Sequence, residues 1–303
     1  MGSGTFDRAA YTSYSASTLG KTTDALYGSR TMHKNLDPLG VKVRESRDSV
    51  DNPHSTPLIV GLDVTGSMGI LADVIAREGL GVLFTGVIDR KPISDPHVMF
   101  MGIGDANCDR APLQVSQFEA DNRIVEQLTN LYLEHGGGGN NFESYNLPWY
   151  FAAFHTVHDS FEKRGKRGYL FTVGDEEAPQ ALTQEQIKHF IGDDTEAKLT
   201  TADLLALAQR TYDVYHVVIE EGSHARTHRA AVAASWNALL GQKVIFLADH
   251  KKLAETIVSA IEVAEGVDAA DSAKRWGAGA SIVHAAVKNL PSARTAGLIS
   301  GSV

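Results

Sequence analysis

Asp63, Thr65 and Ser67 set one carboxylate and two hydroxyls at alternate positions, directly behind the apolar run Pro57-Leu58-Ile59-Val60-Gly61-Leu62. Carboxylate and hydroxyl oxygens are the hard donors that a divalent cation such as Mg2+ takes, with Mn2+ or Ca2+ as alternatives. By itself Asp-x-Thr-x-Ser is more often an Asx or Ser/Thr turn than a metal loop. The metal reading therefore rests on what else the fold brings to the same strand end.

Two more stretches carry oxygen donors. Thr172-Val173-Gly174-Asp175-Glu176-Glu177 places Asp175 behind another apolar run, with capping of a following helix as its competing role. Between the two lies Glu134-His135-Gly136-Gly137-Gly138-Gly139-Asn140-Asn141-Phe142-Glu143-Ser144, a glycine-rich loop that runs into a helical pattern. Glycines let backbone approach an ion closely, and Gly139, Asn140 and Glu143 are its candidate middle-loop contributors. Asp105, in Gly102-Ile103-Gly104-Asp105, reads first as a turn residue.

The elements that must position these loops follow from periodicity. Short β-branched runs predict strands at about 57–63, 97–103, 168–174, 212–219 and 243–247. Helical patterns fill 68–84, 119–134, 143–162, 183–191, 200–210, 227–240 and 250–264. This alternation predicts an α/β, doubly wound domain: a mostly parallel sheet with helices on both faces. Such sheets bind ligands outside the carboxyl ends of their strands, where all three loops sit. The chain divides into an irregular polar arm over 1–55, the α/β domain over 56–265 and a low-complexity tail over 266–303 with a weak helix.

Composition bounds the function. A chain of 303 residues, 43% hydrophobic and 21% charged, can bury a large core. Its net charge of -9 argues against a phosphate-tracking, nucleic-acid-binding surface, and the run Lys163–Arg167 reads as a solvated turn. Cys108 is the single cysteine, which excludes an intramolecular disulfide. With no signal-like apolar run near the start and no membrane-spanning stretch, the expected location is cytoplasmic, with no membrane partner.

The loops together resemble a von Willebrand factor type A domain with a metal-ion-dependent adhesion site. Asp63, Thr65 and Ser67 match its Asp-x-Ser/Thr-x-Ser pattern, Met68-Gly69 follow as in intracellular members, and Asp175 matches its final aspartate. The likeness covers about 57–265 and lies with the bacterial and phage intracellular branch. It implies a non-enzymatic module that holds Mg2+ and engages a partner's Asp or Glu. The implied partner is a MoxR-type AAA+ ATPase or its substrate. The middle loop departs from the pattern: the usual threonine is missing, with Glu143, Asn140 or a water as its substitutes, and Glu143 on the ion would fill the open position from within.

Enzymatic signals are weaker. His135-Gly136-Gly137-Gly138 is similar to a lipase oxyanion loop, but no Gly-x-Ser-x-Gly elbow accompanies it. In haloacid-dehalogenase-type phosphatases an acid-base aspartate follows the nucleophile by two residues; here that position is Thr65. The pairs His155/His158 and His224/His228 have chelating spacing without the glutamate of a His-Glu-x-x-His motif. The alternative is a metal-dependent phosphohydrolase on the same carboxylates, with Glu143, Glu176 or His135 as acid or base. A third reading gives partner binding to the arm, with a vestigial site.

Overall fold

The computed structural model describes residues 4–134 and 140–292, and Ser67 by its backbone alone; Gly139 and His135 lie outside the described residues. Among these are strands β1 (Arg44–Ser46), β2 (Thr56–Asp63), β3 (Pro96–Ile103), β4 (Leu113–Val115), β5 (Thr156–His158), β6 (Gly168–Gly174), β7 (Ala181–Leu182), β8 (Leu199–Thr200), β9 (Tyr212–Ile219) and β10 (Val244–Leu247). Six of them form the central sheet in the order β10-β9-β6-β2-β3-β4. All its pairings are parallel except that of β4 with β3.

Every residue of β2 is buried, because helices cover both faces of the sheet. Leu58, Val60 and Leu62 point into one core, with Phe84, Leu128, Ile257 and Val258 from the helices on that side. Ile59 points into the other, with Trp149, Phe151, Leu204 and Trp236. This double burial explains why the four long strands and β10 read as near-continuous apolar runs.

Several expectations need correction. The antiparallel edge strand β4 spans three residues and carries Gln114 at its centre, too short a pattern to read as a strand. The helix expected over 143–162 is broken into Asn146–His155 and Asp159–Arg164, because Thr156–His158 pairs with β1. That partner lies far away in the chain, beyond the reach of local propensity. The helix expected over 119–134 shortens to Arg123–Thr129, and the one over 68–84 begins as a 3-10 turn at Gly66–Gly69 and runs on to Arg90 through a π turn.

The first 55 residues are not wholly irregular. Asp7 caps a helix, Arg8–Thr18, whose Tyr11 is buried, and Phe6 stacks on Phe84 at 4.5 Å between ring centroids. Beyond 265, helices Ala269–Lys274 and Ala280–Val287 bury Ala273, Val283 and Val287. There Arg90 and Arg275 both pair with the buried Glu262, and the Arg90 guanidinium lies 3.5 Å over the Trp276 ring. Packing orders segments whose composition is weakly patterned. No helix among the described residues is long and apolar enough to cross a membrane.

Candidate metal centre

Asp63 ends β2, and its side chain is fully buried. One oxygen, Oδ1, accepts the backbone N–H of Thr65 at 2.9 Å and the Thr65 hydroxyl at 2.7 Å. Since that proton is given to Asp63, the lone pairs of the Thr65 oxygen stay available to a cation. Thr65 also opens the turn Gly66–Gly69, its carbonyl accepting from Met68 at 2.8 Å. Gly66 sits at a φ of 39°, in the left-handed region that favours glycine, so the reversal after Thr65 suits this residue type. Ser67 lies in this turn by its backbone.

The second oxygen of Asp63 accepts the hydroxyl of Tyr145 at 2.9 Å. Tyr145 is buried edge-on against His216 and Trp236, and it reaches across β6 because Gly174 has no side chain. A Cβ there would stand 2.0 Å from the tyrosine oxygen. Tyr145 was not evident as a site residue: its one sequence signal is its place two residues after Glu143.

β6 lies beside β2, in register through Leu62 and Val173, so Asp63 and Asp175 leave neighbouring strand ends. Asp175 is buried, and its Oδ2 accepts the backbone N–H of His224 at 2.8 Å, in the first turn of the helix Ser223–Leu240. His224 lies 49 residues on in the chain, whereas the helix that directly follows Asp175 in sequence, Gln184–Phe190, is capped by Thr183. Gly222 permits the approach, since a Cβ there would lie 2.3 Å from that of Asp175.

Glu143 completes the acidic edge. It is 3% exposed, and its Oε2 has no hydrogen-bond partner among the described residues. Burial first, then the charges of Asp63, Glu176, Asp109 and Asp105, push its carboxyl well above the ordinary carboxylate range. Glu176 is raised to about 8 by burial and then by Asp63 and Asp175, and its Oε2 is likewise unpartnered. Asp63 is raised as well, mainly by burial, against the hydrogen bonds from Thr65 and Tyr145. No lysine or arginine is among the strongest influences on these three groups. Buried carboxylates facing one another without a positive partner either hold protons or receive a cation. The donors are all oxygens, which fits Mg2+, Mn2+ or Ca2+.

The remaining candidates have other partners. Asn140 donates to Asp105 at 2.5 Å, and Asp105 closes an Asx turn onto Asn107, as its turn reading expects. Cys108 is an exposed residue whose thiol is raised to about 12 by partial desolvation and by Asp105 and Asp109, which disfavours the thiolate. His155 bonds the Val41 carbonyl and Asp193, and His158 caps the helix Asp159–Arg164, so the first histidine pair does not converge. The His224 and His228 rings stack at 4.4 Å, where the helix departs from helical geometry at His228. Among the described residues, Glu221, Asp249 and His250 place one ligand atom each within 4.8 Å at the ends of β9 and β10, a grouping not foreseen in the sequence. Its members already engage each other: His250 Nδ1 contacts Glu221, and Glu221 is exposed.

No family model matches the chain, and no curated protein matches it. Among solved structures, the pilus adhesin SpaC from Lactobacillus rhamnosus GG in its open conformation is similar at a TM-score of 0.45 and 9% identity, over 68% of this chain and 30% of that one. A second form of SpaC gives a TM-score of 0.41 at 10% identity, over 69% and 31%. A von Willebrand factor type A protein from Catenulispora acidiphila gives 0.36 at 16% identity, over 70% and 43%. The chain thus spans less than half the length of each structure. At these scores the α/β assignment stands on the chain's own strand order.

Proposed function

We propose that this chain is a non-enzymatic, metal-dependent protein-binding module of the von Willebrand factor type A kind. Asp63, Thr65 and Ser67 would hold a Mg2+ ion at the carboxyl edge of the sheet, with Asp175 and Glu143 beside them. When bound, the ion supplies positive charge and an open position for a partner's Asp or Glu carboxylate. The observation that carries the reading is Glu143: a buried carboxylate oxygen without a hydrogen-bond partner among the described residues, with other acids as the strongest charges acting on it. A cleft of about 410 Å³ lined by Met68, Ile70, Arg226 and His250 adjoins the Gly66–Gly69 turn and gives a partner's neighbouring side chains a seat. Likeness to the intracellular branch extends the proposal to a MoxR-type AAA+ ATPase, or its substrate, as partner.

The phosphohydrolase reading draws on Glu176, whose raised carboxyl would carry a proton near neutrality. That proton affinity belongs to the metal-free site, however, because a divalent cation nearby favours the ionised form. Aryl phosphate turnover that disappears in Asp63→Ala would favour the enzyme. The binding reading expects no turnover, together with capture of the partner ATPase in Mg2+ that is abolished by chelator. Undiminished capture in chelator would detach partner binding from the ion.

A further inference from the structure

Among the described residues, Arg44 is the arginine that is partly buried and yet has no ion pair; Arg30, Arg110, Arg210 and Arg226, which also lack one, are exposed. Its Nε is buried without an acceptor, and its Nη2 meets only the Asn35 carbonyl at 3.3 Å. Burial lowers its proton affinity, and no carboxylate offsets the effect. A partly buried guanidinium without an anion is left under-bonded, and a planar five-donor fork is built to take a phosphate or a carboxylate.

Arg44 lines a cleft of about 580 Å³ between the segment around His33–Val41 and the helix Arg123–Thr129 with Gln117. That segment is fixed in place: the Leu36 carbonyl accepts from Val115 of β4 at 2.7 Å, so the wall is backbone-bonded to the sheet. Lys34 stands on the rim, exposed and with no ion pair among the described residues. The acids of the cleft do not answer Arg44. Asp37 accepts from the Leu39 backbone at 2.9 Å, and Glu126 is exposed at the edge. The third cation, Arg123, is already paired with Asp121 and Glu119.

We propose that this cleft is an anion-binding site, in which Arg44 receives the phosphate or carboxylate group of a small ligand and Lys34 adds charge at the entrance. The site uses no residue of the Asp63 centre and stands whether or not that centre holds a metal. It is tested by calorimetric titration of the full chain, without divalent cations and at constant ionic strength, with inorganic phosphate and with benzoate. Saturable binding of either probe is expected, the stronger one identifying the ligand group. Arg44→Gln should weaken it by about tenfold or more, and Lys34→Ala by a few-fold. The proposal is overturned if the intact chain binds neither probe saturably, or if Arg44→Gln binds as tightly as the original. Should Arg44→Gln fail to fold, Arg44→Lys and Lys34→Ala decide the question: unchanged affinity in both overturns it.

Discussion

Asp63 is held from two sides, by Thr65 on one oxygen and Tyr145 on the other, and each contact has a separable cost. Tyr145→Phe removes a donor from a buried carboxylate, and the metal-free protein should lose about 1–3 kcal/mol in urea unfolding. Gly174→Ala should cost at least as much, since its methyl must find room where the Tyr145 hydroxyl stands 2.0 Å away. A neutral Gly174→Ala would contradict the path of Tyr145 across β6. The pH response follows from Glu176, whose carboxyl rises from 4.5 to about 8 on folding. The folded state then binds this proton more tightly than the unfolded state does. Between those two values the metal-free protein should lose stability as pH rises. Urea midpoints should therefore be lower at about pH 8 than at about pH 6.5, above the range in which the buried His158 and His216, both lowered by burial, act with the opposite sign, and saturating Mg2+ should shrink the difference. A metal-free midpoint that climbs over this window would reverse the sign and refute the assignment. At this scale Asp63 and Asp175 were legible because each follows an apolar run; Tyr145 was not, because nothing local ties its hydroxyl to a strand far away in sequence.

The strands of the central sheet were the most legible elements, since burial on both faces writes itself as unbroken apolar runs. What escaped was pairing between distant segments. β1 and β5 are three residues each, and each reads as strand only once the other is beside it. The helix Arg8–Thr18 was missed for a related reason: its sequence is polar, and of its side chains only Tyr11 and Thr18 are buried, the Tyr11 hydroxyl on the Ala76 carbonyl at 3.1 Å. The Tyr11 ring lies where Gly81 leaves space, so its docking depends on a large side chain and an absent one. Tyr11→Ala should therefore cost about 3 kcal/mol in urea unfolding, despite lying outside the expected α/β domain. A change of only a few tenths would mean that this helix is not docked on the core.

The molecule packs two apolar cores on either side of one sheet and gathers buried acids at the carboxyl ends of its central strands. In a chain of net charge -9, such an edge works against folding unless protons or cations balance it. A cation that binds the folded state alone stabilises it by mass action, by about 2.7 kcal/mol at a hundredfold excess over its dissociation constant. Glu143→Gln, which replaces a shielded carboxyl with a neutral isostere, should stabilise the metal-free protein near pH 8 and reduce the stabilisation that Mg2+ gives. The most direct test of the central claim is calorimetric titration of Mg2+ and Mn2+ into the original chain and into Asp63→Ala and Asp175→Ala. Saturable binding at millimolar metal or below by the original, lost in Asp63→Ala and weakened in Asp175→Ala, is the expected result. Equal binding by all three, or binding by none, would contradict a metal centre at Asp63.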